Sequence, residues 1–259
     1  MHKFKIRCSA IGSIMAGSVG ASQSQLENIE KMDARDKPMT APMLEKYEKD
    51  VYTRDNPELP KGAKTYCKEW LKEQKDFYNR RKEIQSKYCD KGNEVEDDSI
   101  ELLSNFLLED LEKNEEFFGE DEFMQGTPDV LYNMSVYDMK NSWDFTTFPL
   151  FEDEIPNKDY WWQLQGYMYL CSRIDAKLVY CLMDMPYHLI QDEVRRASYK
   201  SDMTTSELSE EYTKLYTYKD VSTELRVKIF DFDRDDKAIE QIKERVKLCQ
   251  EYINKLMEK

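Results

Sequence analysis

The stretch Ala176 to Met185, AKLVYCLMDM, constrains this chain more than any other. A continuous apolar run of strand length reads as a strand buried inside a sheet, with helices packed over both faces. The segments around it supply such helices. Helical spacing of Tyr66, Trp70, Phe77 and Ile84 predicts a long helix over about Ala63 to Tyr88. Asp90-Lys-Gly92 predicts a break, and a second helix is expected over Val95 to Leu111. The period then changes. Phe117-Phe118, Phe123-Met124, Val130 to Tyr132 and Val136 to Met139 read as short strands, with a hairpin turn at Asn133-Met-Ser135. A helix from Tyr160 to Arg173 follows a polar loop and precedes the buried strand. Beyond it lie two helical stretches (His188 to Lys200, Ser206 to Tyr216), a strand from Glu224 to Phe232, and a terminal helix over about 235–257 opened by Asp235. The expected fold class is α/β (α+β), a central mixed β-sheet flanked by helices, in a single domain spanning residues 1–259.

Near the start, Phe4 to Arg7 is extended and residues 16–24 form a Gly/Ser-rich loop. Two similar units then share Leu, Glu, Glu and Lys in register, Ser24 to Met32 and Pro42 to Asp50. With Pro38 and Pro42 between them, they predict a helical hairpin insertion over about 21–60.

Composition narrows the chemistry. Six scattered cysteines contain no C-x-x-C pair, which argues against a zinc ribbon or a locally ligated iron–sulfur cluster. Two histidines, His2 and His188, cannot supply a histidine cluster, so a metal would be held by oxygen, which selects magnesium or manganese. No stretch approaches the roughly 20 apolar residues of a membrane span. Met1 to Arg7 is basic without the apolar run of a secretion signal, so a cytoplasmic location is expected. The net charge of −14 repels a phosphate backbone at long range. Any nucleic-acid contact must come from local positive charge and bound cations. The densest basic patch is Arg80, Arg81, Lys82 and Lys87, beside a Lys64, Lys68 and Lys72 stripe interleaved with aromatics.

Asp138 and Lys140 stand at i and i+2 on one strand and so project from one face, while Asp129 reaches the same place from the adjacent strand. Two carboxylates a few ångströms apart repel by roughly 4 kcal/mol at an effective dielectric of about 20, a repulsion that a cation or a proton relieves. The Met139 carbonyl is a further hard oxygen. Glu96 lies near the start of the preceding helix, where it either completes a metal site or complements the helix dipole. On the later helix, Leu164, Tyr167, Met168 and Cys171 form the core stripe, leaving Gln163 and Gln165 on opposite flanks. Each of these elements alone is equally consistent with an Asp–Lys cross-pair or an aromatic core helix.

In order, Gly92 to Glu96, Thr127-Pro128-Asp129, Asp138-Met139-Lys140 and Gln163-Leu164-Gln165 resemble the motifs of the PD-(D/E)xK nuclease superfamily, nearest to phage lambda exonuclease and YqaJ-type viral recombination nucleases. The resemblance implies a restriction-endonuclease-like core and a metal-dependent exonuclease that degrades one strand of duplex DNA from an end. It implies one or two Mg²⁺ ions, with Mn²⁺ as the alternative, on Asp129, Asp138, Met139 and Glu96. Lys140 becomes the catalytic lysine and Gln163 a positioning residue. Arg7 and Ser9, in the opening Arg7 to Gly12, become candidate 5′-phosphate contacts. Duplex ends, a single-strand annealing protein and a ring-shaped homotrimer are the implied partners. Endonuclease action is the alternative within the fold. A non-catalytic acidic protein or DNA mimic is the alternative outside it.

Overall fold

A computed structural model describes residues 3–81 and 86–258 of the chain. Strand β1 (Ile6–Arg7) leads through a short turn into α1 (Ile11–Met15), followed by α2 (Gln23–Asp33), α3 (Ala41–Asp55) and α4 (Lys61–Glu73). Helices α5 (Lys87–Glu94) and α6 (Glu96–Leu107) precede β2 (Met124–Gln125), β3 (Val130–Tyr132) and β4 (Ser135–Asn141). Then come α7 (Asp159–Leu170), β5 (Asp175–Cys181), α8 (Tyr187–Ser198), α9 (Thr205–Tyr216), β6 (Val227–Asp233) and α10 (Asp236–Met257). Two units result. The first comprises Met1–Arg81, Asp121–Met124 and Asp236–Lys259, and the second Lys82–Glu120 and Gln125–Asp235.

The second unit holds a mixed sheet in the order β3-β4-β5-β6. The β3/β4 and β5/β6 pairs are antiparallel, whereas β4 and β5 are parallel, with α7 in the connection between them. The apolar run that dominates the sequence is β5 and the residues just after it, and β5 lies between two strands as its composition requires. Tyr132 pairs with Ser135, so Asn133 and Met134 alone make the hairpin loop. Asn133 takes φ 51°, a left-handed conformation that asparagine tolerates and two-residue hairpins demand.

Alternation then sorts the sheet's faces. Val130, Tyr137, Met139, Val179, Cys181 and Val227 pack with Ile100 and Leu103 of α6 in one core cluster. Asp138, Lys140, Leu178, Tyr180 and Phe230 point the other way, toward α7. Beyond β5, Met185, Leu189, Ile190, Val194, Leu208 and Tyr216 form a separate small core under α8 and α9.

In the first unit, α2 and α3 are joined through a buried carboxylate: Asp50 accepts from Gln25 Nε2 at 2.9 Å and Asn28 Nδ2 at 2.8 Å. Arg245 of α10 is buried and donates to Ile14 O at 2.5 Å and Gly17 O at 3.1 Å, satisfying carbonyls left over at the end of α1.

Helix boundaries depart from the periodicity in two places. The stretch expected to be helical from Ala63 to Tyr88 stops at Glu73: Gln74 turns extended at ψ 157°, its side chain donates to Trp70 O at 2.8 Å, and Asn79 is left-handed at φ 50°. Phe77 and Tyr78 consequently face solvent. The break expected at Asp90-Lys-Gly92 lies inside α5, which Ser86 caps by accepting from Cys89 N. The chain breaks at Val95 instead, with Lys91 buried rather than solvated. Phe117-Phe118 forms only an isolated bridge, Phe118 to Gly126.

Candidate active site

Asp138 sits in the middle of β4 and is 1% exposed. Its Oδ1 accepts from Gln163 Nε2 of α7 at 2.6 Å, and its Oδ2 lies 2.5 Å from Lys140 Nζ. That Oδ2 has the Lys140 ammonium as its partner and no other hydrogen-bond donor. Asp129 stands at the entry to β3, where its Oδ2 accepts from Met139 N at 2.6 Å. Lys140 Nζ also faces Met139 O at 3.3 Å and lies 4.8 Å from the ring centroid of Tyr160, a cation–π distance. Period two on β4 and the short hairpin thus bring Asp129, Asp138, Met139 and Lys140 together.

Their electrostatics follow from burial. Desolvation, with the Asp138 carboxylate next in effect and Glu96 adding to it, pushes the Asp129 carboxyl up to about 7, against the opposing pull of Lys140 and the Met139 amide. For Lys140 burial is the largest influence and works against the charge, but the Asp138 and Asp129 carboxylates together outweigh it and hold the ammonium above the ordinary lysine range.

Supporting contacts hold the segment that bears Asp129. Tyr167 Oη donates to Thr127 O at 3.1 Å, Asn114 Nδ2 to Pro128 O at 2.9 Å, and Asn114 N to Asp129 O at 2.7 Å. Gln165, the other amide of α7, donates to Asp233 O at 2.9 Å and accepts from Asp235 N at 2.7 Å, which ties down the end of β6. Gln163 serves the carboxylates and Gln165 serves the scaffold. Tyr160, Asn114, Tyr167 and Lys113 were not singled out in the sequence because their partners lie far along the chain or on another element.

Glu96 begins α6, but its Oε1 lies 3.0 Å from Lys113 Nζ, which also bonds Asp97 at 2.8 Å. Among the described residues no group of three or more His, Cys, Asp or Glu side chains is arranged to hold a metal ion. The donors whose chemistry suits a hard divalent cation are the Asp129 and Asp138 carboxylates, which repel each other, and the Met139 carbonyl, all oxygen. Glu96 is close enough to act on Asp129 electrostatically and is held by Lys113.

Of the expected DNA contacts, Arg7 and Arg81 both lie near enough to Tyr66 to act on its hydroxyl electrostatically. Arg7, Ser9, Arg80 and Arg81 are exposed residues of the first unit, and Lys82 falls outside the described residues. Lys87 belongs to the second unit, where its ammonium pairs with Glu193 at 2.8 Å and covers the Trp143 ring at 4.4 Å.

Comparison with solved structures finds the phage-related exonuclease from Haemophilus somnus at 27% identity, TM-score 0.69, covering 99% of this chain and 96% of that one. The alkaline exonuclease LHK-Exo from Laribacter hongkongensis matches at 12% identity, TM-score 0.56, over 98% of this chain and 90% of that one. The same protein in complex with dAMP gives TM-score 0.57. No protein-family model and no curated protein matches the chain. The resemblance carried by the four motifs thus extends to the fold, over nearly the full length of these exonucleases.

Proposed function

From the fold shared with phage-type exonucleases we propose that this protein is a divalent-metal-dependent exodeoxyribonuclease that hydrolyses one strand of duplex DNA from an end, in the 5′ to 3′ direction, for recombination or repair. The observation that carries the reading is the buried Asp138–Lys140 pair on one strand face, with Asp129 bonded to the intervening Met139 amide. A scaffold has no need to bury two carboxylates and a lysine together. Desolvating them costs free energy, and such groups cluster where charge is handled.

Asp129, Asp138 Oδ2 and the Met139 carbonyl would hold Mg²⁺ or Mn²⁺, with Glu96 available if Lys113 releases it. When bound, the ion supplies Lewis-acid polarisation of the scissile phosphodiester. Lys140, charged throughout the neutral range, stabilises the negative charge that builds on the phosphoryl oxygens and orients the attacking water. Gln163 fixes the Asp138 carboxylate so that Oδ2 keeps its aim, and Tyr160 restricts the arc open to the Lys140 ammonium.

The test is an end-labelled duplex assay with Mg²⁺ that compares the wild type with Lys140→Ala and Asp129→Ala. Nucleotide release from 5′-phosphorylated ends, reduced at least about 100-fold in both variants, is the expected outcome. Equal activity in Lys140→Ala would sink the site assignment. Cleavage of closed circular DNA would replace exonuclease by endonuclease. Light scattering of the purified protein, alone and with a single-strand annealing protein, tests the ring and the partner that accompany this reading.

A further inference from the structure

Lys140, Tyr180 and Lys228 pair in register across β4, β5 and β6, and Asp138, Leu178 and Phe230 form the next row on the same face. The candidate catalytic residues and one end of β6 therefore share a single surface. At strand spacings of about 4.8 Å, β6 lies roughly 10 Å from β4. Over that end opens a cavity of about 560 Å³, floored by Phe230 and Phe232 and walled by Trp161 and Trp162 of α7. The residue before these two tryptophans is Tyr160, which covers the Lys140 ammonium, so one helical turn links the site to the cavity.

The lining has the chemistry of a base site. Trp161 and Trp162 stand edge to face, with centroids 4.7 Å apart, and neither is buried. Phe230 is held edge-on by Tyr180 at 6.1 Å. Lys158 and Lys228 supply positive charge beside these rings, and Lys228 lies 5.4 Å from the Phe230 centroid. Asp153, Glu154 and Asp231 also line the cavity; Asp231 is paired with Lys177, whereas the exposed Asp153 and Glu154 leave a strand's phosphates to the Lys158 and Lys228 side. The volume falls in the range of about 300–1,000 Å³ found for small-molecule sites. Successive nucleotides of a stacked strand advance about 3.4 Å, so roughly 10 Å is a reach of two to three nucleotides.

We infer that the Trp161–Trp162 cavity is a stacking site for an unpaired nucleobase of the strand whose backbone crosses Asp138 and Lys140. The inference rests on the nuclease reading for the location of that strand. A base stacked on tryptophan needs no hydrogen-bond code, so the site takes any of the four bases and holds the strand two to three nucleotides from the scissile phosphate. Lys228 lies on the row that leads back to Lys140 and receives a phosphate on the way.

The experiment measures binding of fluorescein-labelled dithymidylate and hexathymidylate by anisotropy, in EDTA, with the full-length protein. The hexamer occupies both places at once, whereas the dimer fills one at a time. Trp161→Ala and Trp162→Ala are expected to weaken hexamer binding by roughly 5- to 150-fold and dimer binding by less, since the dimer keeps the Asp138–Lys140 end as an alternative place. Trp162→Phe should restore most of the hexamer affinity. Lys228→Glu, on the edge strand, should weaken the hexamer and flatten its salt dependence, and it decides the matter if the alanine variants fail to unfold cooperatively. Hexamer affinity unaltered in the variants, no hexamer binding by the wild type, or equal loss for both lengths overturns the inference. The first pattern is also what a cavity built for a protein side chain would give. Cleavage of an end-labelled duplex by the wild type in Mg²⁺ is scored separately. If cleavage is absent and the tryptophan-dependent hexamer binding persists, the nuclease reading falls and the base site stands. With cleavage present and no such dependence, the reverse holds.

Discussion

Replacing Lys91 by methionine tests how the strand bearing Asp138 and Lys140 is anchored. Lys91 is 1% exposed, and its Nζ donates to Ser142 O at 2.7 Å, Trp143 O at 2.9 Å and Met183 O at 2.9 Å. It joins the chain leaving β4 to the chain leaving β5. Burial pushes the ammonium down from 10.5 to about 8, with Asp144 and Asp184 resisting. At 1.36 kcal/mol per pH unit, holding the charge in the folded protein at pH 7 costs about 3 kcal/mol. Methionine removes that cost but leaves three carbonyls without this donor, at about 1–3 kcal/mol each. The carbonyl loss is the larger, and Lys91→Met should destabilise the protein by roughly 3 kcal/mol at pH 7.

The pH dependence has a definite sign. Below pH 8 lysine is protonated in both folded and unfolded protein, so its burial cost is fully present. Between about 8 and 10.5 the folded form sheds the proton while the unfolded form keeps it, and stability from this group rises with pH. The advantage of wild type over Lys91→Met should therefore grow by about 3 kcal/mol between pH 7 and pH 10, read from urea unfolding midpoints at each pH. A variant as stable as wild type at pH 7 refutes the requirement for the donor. An advantage that shrinks with pH refutes the lowered pKa, because it means the three carbonyls favour the ammonium outright.

Other outcomes follow from the site. Gln163→Leu removes the 2.6 Å bond to buried Asp138 and should lower kcat about 10-fold or more, besides a loss of about 1–3 kcal/mol of stability. Gln165→Leu should lower stability with little change in kcat, since its bonds go to Asp233 and Asp235; matching losses of kcat would mean the two amides were assigned wrongly. Saturating Mn²⁺ at about 100 times its Kd should stabilise the wild type by about 2.7 kcal/mol and leave Asp138→Asn nearly unmoved in a thermal melt. Exonuclease activity should fall steeply between 50 and 200 mM salt, because the chain's net charge of −14 leaves only local cations to hold the backbone. A flat salt response counts against that picture.

Short-range periods carried much of this protein in readable form. The i, i+2 placement of Asp138 and Lys140, the hairpin turn beginning at Asn133 and the apolar run of β5 each depend on neighbours a few residues away. Such patterns survive without knowledge of the partner element. The boundary of α4 did not, because aromatic spacing continued past Gln74 while a side-chain bond to Trp70 O and the turn at Asn79 ended the helix. In the same way, the glycine of Asp90-Lys-Gly92 signalled a break that the burial of Lys91 overrode.

The buried acid pair with its lysine, and the mixed sheet that bears it, were thus determined by local sequence pattern. Which amide of α7 reaches Asp138, how Lys113 holds Glu96, and that Lys91 and not solvent satisfies the carbonyls beyond β4 were decided only by the tertiary structure. Those contacts join residues from 17 to 51 or more positions apart. At such separations a side chain's partner is set by how helices dock on the sheet, and periodicity within one element carries no information about that.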